Sequence, residues 1–230
     1  NMGIDIKLSH VVIAAKGYKK VQYAEISKIS ENKKDLGKIE NISCDCICVS
    51  GFWTPTIHLA SQSGNKTKFD ENIDAFVPGK SKQKETTLGS ANGTFSLQET
   101  LKTSFEVGYE KSKQITKNNN RVAVPQVSEK KHSKHDKFWC VPLPKEKKYK
   151  RFLDFQNDVD VTDIELALRE GYRSIEHVKR YTTLGMATDQ GKTSNLNGLQ
   201  LVSNVENKVV PEVGHTTFRP PYTPVSIGAI

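Results

Sequence analysis

Thr162-Asp163-Ile164-Glu165-Leu166-Ala167-Leu168-Arg169-Glu170-Gly171 decides how the second half of the chain folds. A Thr followed three residues later by Glu is the capping-box pair, in which hydroxyl and carboxylate satisfy the free backbone amides of a helix start. Ile164, Ala167 and Leu168 then fall on one apolar face, and Gly171 supplies the closing turn. Further along, Ser174 is placed to cap a second helix carrying Val178 and Tyr181. A third begins near Lys192 and carries Leu196, Leu199 and Val202. The tail from Gly214 to Ser226 holds Pro220, Pro221 and Pro224. Proline fixes φ and lacks an N–H, so this tail is expected to be extended.

Toward the N-terminus the pattern changes. Residues 109–150 read as a polar connector with Asn118-Asn119-Asn120 and a Lys/His run, with few buried contacts expected. Before it, residues 95–108 have a helix pattern capped by Ser96 and ended by Gly108. The small, flexible run Leu88-Gly89-Ser90-Ala91-Asn92-Gly93 leads into it. Residues 1–79 read mostly as strands: Ile4–Leu8, Ser9–Ala15 and Val21–Ile26, with a turn at Lys16-Gly17-Tyr18 and a polar turn at 31–38. Ile42–Val49 follows as a buried strand. Residues 51–60 form a loop entering a short helix, and Val77-Pro78-Gly79 is a turn. The expected class is α+β, with a β-rich first part and a small helical second part.

Composition narrows the function classes. The chain has 230 residues, 36% hydrophobic and 26% charged, enough for one or two domains with a real core. No run of about 18 apolar residues exists, which argues against a membrane span, and the N-terminus lacks the apolar stretch of a signal peptide. The formal charge is +8. Arg occurs only at 121, 151, 169, 173, 180 and 219, and the Lys-rich stretches contain only Phe138, Trp139 and Tyr149 as aromatics. That is too few for a base-stacking platform, so nucleic acid is not an expected partner.

Cys44, Cys46 and Cys48 alternate and would share one strand face. Free Cys packs as a small hydrophobe, and a structural zinc normally uses a CxxC turn. His132, His135 and Cys140 form a second loose group. No metal is expected at either. Asp45 and His58 lack identifiable catalytic partners, and there is no Gly-x-Ser-x-Gly elbow. No catalytic residue is assigned.

Arg173 to Asn195 is the segment richest in chemistry. It holds Lys179, Arg180, Thr182 and Thr183, then Gly185, Gln190, Gly191, Lys192 and Thr193. A Gly-Lys-Thr opening a helix suits a phosphate, because helix N-terminal amides point outward with partial positive charge. Five residues separate Gly185 from Gly191, where a P-loop has four. Two readings stay open on spacing alone: an anion site, or a capped helix whose Lys192 faces water.

Three runs resemble the signature of the alpha subunits of heterotetrameric sarcosine oxidases: Phe152 to Val159, Glu176 to Asn195, and Thr216 to Pro224. Cys44-Asp45, Val49-Ser50-Gly51, Trp53-x-Pro55-x-x-His58-Leu59-Ala60-Ser61-Gln62 and Phe76-Val77-Pro78-Gly79 resemble the end of that family's dinucleotide-binding domain. The resemblance implies that residues 1–108 are the C-terminal part of an NAD-binding, Rossmann-like domain. Residues 109–150 would be a connector, 151–210 a small helical domain, and 211–230 an extended linker toward a missing folate-binding domain. It also implies that the Gly-x-Gly-x-x-Gly turn lies outside the chain, and that the piece alone is inactive.

The helical part is similar to domains that hold a two-iron two-sulfur cluster. Their cysteine positions carry Asp154, Gln156, Asp189 and Ser194 here, so no cluster is expected. The family enzyme oxidises sarcosine to glycine, passing electrons from FAD to FMN to oxygen. The resemblance therefore implies FMN, shared with a beta subunit, with its phosphate near Lys179, Arg180, Thr182, Thr183, Gln190, Gly191, Lys192 and Thr193. It implies NAD near Ser50, Gly51, Trp53, Ser90, Asn92 and Gly93, although position 52 carries Phe where the family pattern has Gly. FAD and tetrahydrofolate would sit elsewhere in a cytoplasmic complex with beta, gamma and delta subunits. The alternatives are a non-catalytic docking module of a flavoprotein complex, or a subunit of an oxidase for another secondary amine such as dimethylglycine or an opine.

Overall fold

The computed structural model describes residues 3–51, 53–116, 122–128, 138–144, 146, 148–221 and 223–229. Asn118–Asn120, His132, His135, Phe52 and Tyr222 lie outside the described residues.

The first half opens with a three-stranded meander of β1 (His10–Lys16), β2 (Tyr23–Ile29) and β3 (Leu36–Ser43), in the order β1-β2-β3. Both pairings are antiparallel. The central strand carries the burial: Ala24, Glu25, Ile26 and Ser27 are all buried. Tyr149 donates to the Glu25 carboxylate at 2.7 Å, tying the end of the connector to this sheet.

Two expected strands do not form. Ile4, Ile6 and Leu8 alternate but are 64%, 77% and 80% exposed and belong to no strand. Alternation makes a strand only where a neighbour supplies the ladder, and β2 pairs with residues from His10 onward. The cysteine strand fails for the same reason. β3 ends at Ser43 opposite Tyr23, the first residue of β2. Cys44 is half-buried, while Cys46 and Cys48 are exposed with their sulfurs 3.9 Å apart.

Next come α1 (His58–Gln62), the hairpin of β4 (Thr67–Asp70) and β5 (Ala75–Pro78), and a 3-10 turn at Gly89–Asn92. Ala75, Phe76, Val77 and Pro78 are all buried. Helix α2 (Leu97–Thr116) runs well past Gly108, and none of its residues is buried. A helical glycine costs only about 1 kcal/mol against alanine, so Gly108 does not end the helix. Ser96 does receive the Glu99 amide, as the sequence indicates.

The second half begins with a two-stranded hairpin, β6 (Phe152–Asp154) and β7 (Val159–Asp160), ahead of the helices. Helix α3 (Val161–Arg169) starts one residue before Thr162. Its capping box is Asp160 with Asp163, not Thr162 with Glu165. Asp160 accepts the Thr162 amide at 2.7 Å, and Asp163 accepts the Asp160 amide at 2.8 Å. A carboxylate two residues upstream outcompetes the Thr hydroxyl, which itself donates to Asp160. Helices α4 (Ile175–Thr182) and α5 (Asn195–Glu206), then the short α6 (Val210–Val213), complete the bundle.

One apolar core joins the halves. Ile57 and Phe76 pack with Val159, Ile164, Val178, Leu184, Leu199, Val202 and Phe218. Gly198 on α5 matters here, because a Cβ would lie 2.4 Å from Leu184. The described residues of the Pro-rich tail from Gly214 to Ser226 belong to no helix or strand, and Thr216 and Phe218 are buried. Every strand pairing among the described residues is antiparallel. No helix among them is long and apolar enough to cross a membrane.

Candidate functional site

The last turn of α4 places Lys179 and Arg180 where cations favour the negative end of the helix dipole. Thr183 then leaves the helix in a left-handed conformation, φ 64°, and the chain enters the loop 184–194. Hydrogen bonds accepted by two carboxylates shape that loop. Buried Asp154 accepts the Gly185 amide at 2.9 Å, as well as those of Gln156 and Asn157. Asp189 accepts the Gly191 amide at 3.0 Å and the Thr193 hydroxyl at 2.9 Å. Thr188 donates to Gln156 at 3.0 Å.

Gly185 and Gly191 both have positive φ and face the same side chain. A Cβ on either would lie 2.1 or 2.2 Å from Asn195 Oδ1. The two glycines thus admit Asn195, whose amide also donates to Thr216 at 2.9 Å.

Beside the loop lies a cleft of about 270 Å³. Its lining comes from α4 (Glu176, Lys179, Arg180), the loop (Gly185, Met186, Gln190) and the tail (Thr217, Phe218, Arg219, Pro220). Three cations meet one carboxylate there. Glu176 accepts from Arg180 at 2.6 Å and from the Thr217 amide at 2.5 Å. Burial alone would raise its pKa, but the Thr217 and Arg180 hydrogen bonds outweigh that and hold Glu176 below the ordinary carboxylate range. Burial lowers the Lys179 ammonium. Glu176 opposes this, while Arg180 and Arg219 add to it. With Arg180 matched by Glu176, Lys179 and Arg219 remain as neighbouring like charges, an arrangement that attracts an anion.

Of the residues singled out from sequence for a phosphate, the cleft gathers Lys179, Arg180 and Gln190. Thr182, Thr183, Gly191, Lys192 and Thr193 do not line it. Thr182 bonds back to the Val178 carbonyl at 2.8 Å, and Thr193 is held by Asp189. Helix α5 begins only at Asn195, and Asp189 already takes the amide of Gly191 ahead of it. Sequence reasoning missed Glu176 and Arg219. The i,i+4 spacing of Glu176 and Arg180 is a visible signal, but nothing local connects Arg219 to residues 40 positions away.

The residues expected at NAD stand apart from this cleft. Ser50, Gly51 and Trp53 lie on one exposed stretch, with open space around Gly51. Ser90 and Asn92 are exposed on the 3-10 turn, and Gly93 closes it against Ile73 and Val77.

Comparison with known proteins agrees with the resemblance read from the motifs. The family model described as sarcosine oxidase A3 domain matches residues 148–230. The sarcosine oxidase subunit alpha of Rhizobium meliloti (strain 1021) is 38% identical over 226 residues, covering 96% of this chain and 21% of that protein. The subunit of the same name from Corynebacterium sp. (strain P-1) is 33% identical over 213 residues, covering 89% and 22%. Among solved structures, L-proline dehydrogenase from P. horikoshii superposes with a TM-score of 0.58 at 18% identity, covering 95% of this chain and 44% of that one. At that identity the likeness speaks for the fold alone. The chain spans about a fifth of the length of the curated relatives it matches. By the motifs, the matched domain and the similarity along nearly its whole length, this chain belongs to the sarcosine oxidase alpha-subunit family.

Proposed function

We propose that this chain is the cofactor-holding part of a multi-subunit sarcosine oxidase, and that its cleft grips the phosphate of FMN. The observation that carries the reading is that Lys179, half-buried, and Arg219, exposed, line the same cleft as the Glu176–Arg180 ion pair. A phosphate monoester matches that surplus charge. Arg219 can bind it through a planar fork and Lys179 as a point charge. The Gln190 side-chain amide anchors the loop to the Pro221 carbonyl. Met186 and Phe218 give the cleft an apolar flank for the chain that follows the phosphate.

The cleft suits a phosphate and a few attached atoms, not a whole flavin. The ring would therefore be enclosed with a beta subunit that carries FAD, in a cytoplasmic complex completed by gamma and delta subunits. FMN when bound would relay electrons from sarcosine oxidation toward oxygen. The residues of this chain would orient and neutralise it without touching the substrate. NAD would be met by Ser50, Gly51 and Trp53 from one exposed stretch and by Ser90, Asn92 and Gly93 from the 3-10 turn, which Pro55 approaches at Gly93. No step is derived through NAD. Tetrahydrofolate would bind elsewhere in the complex. An α2 with no buried residue favours a second role for the same chain, docking another subunit.

The test is to co-express the full alpha subunit carrying Lys179→Met or Arg219→Ala with its partners and to quantify FMN per FAD. Each change is expected to weaken FMN retention at least tenfold, the scale of one charge-assisted hydrogen bond. Unchanged FMN in both variants would overturn the reading.

A further inference from the structure

Cys44, Cys46 and Cys48 sit where the chain leaves the sheet. Among the described residues, the last backbone bond from this stretch to the sheet runs from the Cys44 amide to the Gln22 carbonyl, at 3.1 Å. Residues 44–49 belong to no strand, and the chain bends at Asp45. Ile47 is half-buried, while Cys46 and Cys48 on either side of it are exposed. Their sulfurs lie 3.9 Å apart, close enough for a hydrogen bond between them. Free cysteine is ordinarily among the most buried residue types. Two exposed thiols in contact are therefore not accounted for by packing.

We infer that Cys46 and Cys48 form a redox-active dithiol, which a peroxide closes to a disulfide and a thiol reductant reopens. The inference does not rest on the anion reading of the cleft.

A disulfide needs its sulfurs at about 2 Å. Both side chains are exposed and no ladder holds the backbone between them, so rotation and a small change in the bend can close the gap. The bond would span one intervening residue, Ile47. It removes little freedom from the unfolded chain and is a poor staple. An exposed bond in so tight a ring is easily reduced, which suits a reversible site. Cys44 is the less suited partner, because it is half-buried and its amide is held by Gln22.

The oxidation balances in two steps. One thiolate attacks the peroxide: an S–O bond forms, the O–O bond breaks, and the hydroxide that leaves takes a proton to become water. The second thiol attacks the sulfenic sulfur: the S–S bond forms, the S–O bond breaks, and a second water leaves. Two electrons pass from the thiols to the peroxide. Hydrogen bonding to the Cys48 sulfur, then its charge, raise the Cys46 thiol. Cys46 thus keeps its proton and takes the second role. An oxidase of the kind proposed above makes peroxide when two electrons reach oxygen, so the oxidant would arise at the complex itself.

The test uses the full alpha subunit with its partner subunits, treated with hydrogen peroxide, quenched, alkylated with N-ethylmaleimide and digested with trypsin. Lys38 and Lys66 bound a segment with no Lys or Arg between them, so one peptide carries all three cysteines. That peptide is expected to lose two hydrogens and the alkylation of Cys46 and Cys48, with Cys44 still alkylated. Dithiothreitol should restore both thiols. Cys44→Ser should behave alike, whereas Cys46→Ser and Cys48→Ser should form no disulfide in this peptide. Undiminished alkylation of Cys46 and Cys48 after peroxide would refute the inference. So would a bond from Cys44 to either, or passage of both to sulfinic acids with no bond between them. If the urea-unfolded chain closes the same bond as fast, the placement of the two sulfurs contributes nothing and the inference also fails. The unsubstituted complex decides each of these outcomes, so none depends on a variant folding.

Discussion

The meander of β1, β2 and β3 and the bundle of α3, α4 and α5 are built from similarly apolar sequence but close differently. In the bundle, Ile164, Val178, Leu184 and Val202 are at most 1% exposed, and polar groups inside it, such as Asp154 and Asp160, are hydrogen-bonded. In the meander burial concentrates on the middle strand. β1 contributes Ile13, β3 contributes nothing, and Val12 and Ile42 stay 46% and 40% exposed. The bundle core is closed with help from Ile57 and Phe76 of the first half. Among the described residues the outer strands β1 and β3 each pair on one side only, and Val12 and Ile42 stay partly open. The most fully enclosed side chains thus concentrate where the helices are.

That contrast can be broken most directly with matched truncations. Ile164→Ala is expected to cost about 4 kcal/mol, and Ile13→Ala about 2 kcal/mol, because a fully enclosed site cannot collapse into the space left behind. Equal losses in denaturant unfolding would erase the distinction. Acid provides a second, smaller lever on the seam between the regions. The pKa of His58 in the folded chain, about 4, lies below the ordinary 6.5, so the unfolded chain takes up the proton first. Its contribution is fully present above pH 6.5 and is lost as pH falls toward 4, about 3 kcal/mol at most. His58→Phe should flatten that part of the stability–pH curve, and an unaltered curve would contradict a buried neutral ring. The mildest probe compares two helix caps. Asp160→Ala should destabilise by about 1 kcal/mol, since α3 is part of the core. Ser96→Ala should leave the main unfolding transition in place, since α2 buries nothing.

What the sequence reveals follows the same divide. Helical spacing is local, so Ile164, Ala167 and Leu168 announce α3, and Val178 and Leu199 announce its neighbours. The difference there is local too: Asp160 and Asp163 cap the helix that Thr162 and Glu165 suggest. Strands are not local. Ile4–Leu8 and the cysteine run alternate as strands do, and only the length of β2 decides that they remain unpaired. The cleft was half legible. Lys179, Arg180 and Gln190 cluster in the sequence, whereas Arg219 and Phe218 arrive from a tail whose path is set by packing. The Gly-Lys-Thr run reads as a phosphate motif, but Asp189 accepts the Gly191 amide and Gly191 makes room for Asn195.

That last arrangement constrains how the loop can vary over descent. Gly185, Gly191 and Asn195 form a three-way lock in which any side chain added at either glycine collides with the amide at 195. A substitution at one member is tolerable only after a shorter residue has appeared at 195, and that shorter residue would first abandon Thr216. Single steps away from the trio are therefore uphill in either order, and the three positions should persist or disappear as a unit among relatives that share this loop.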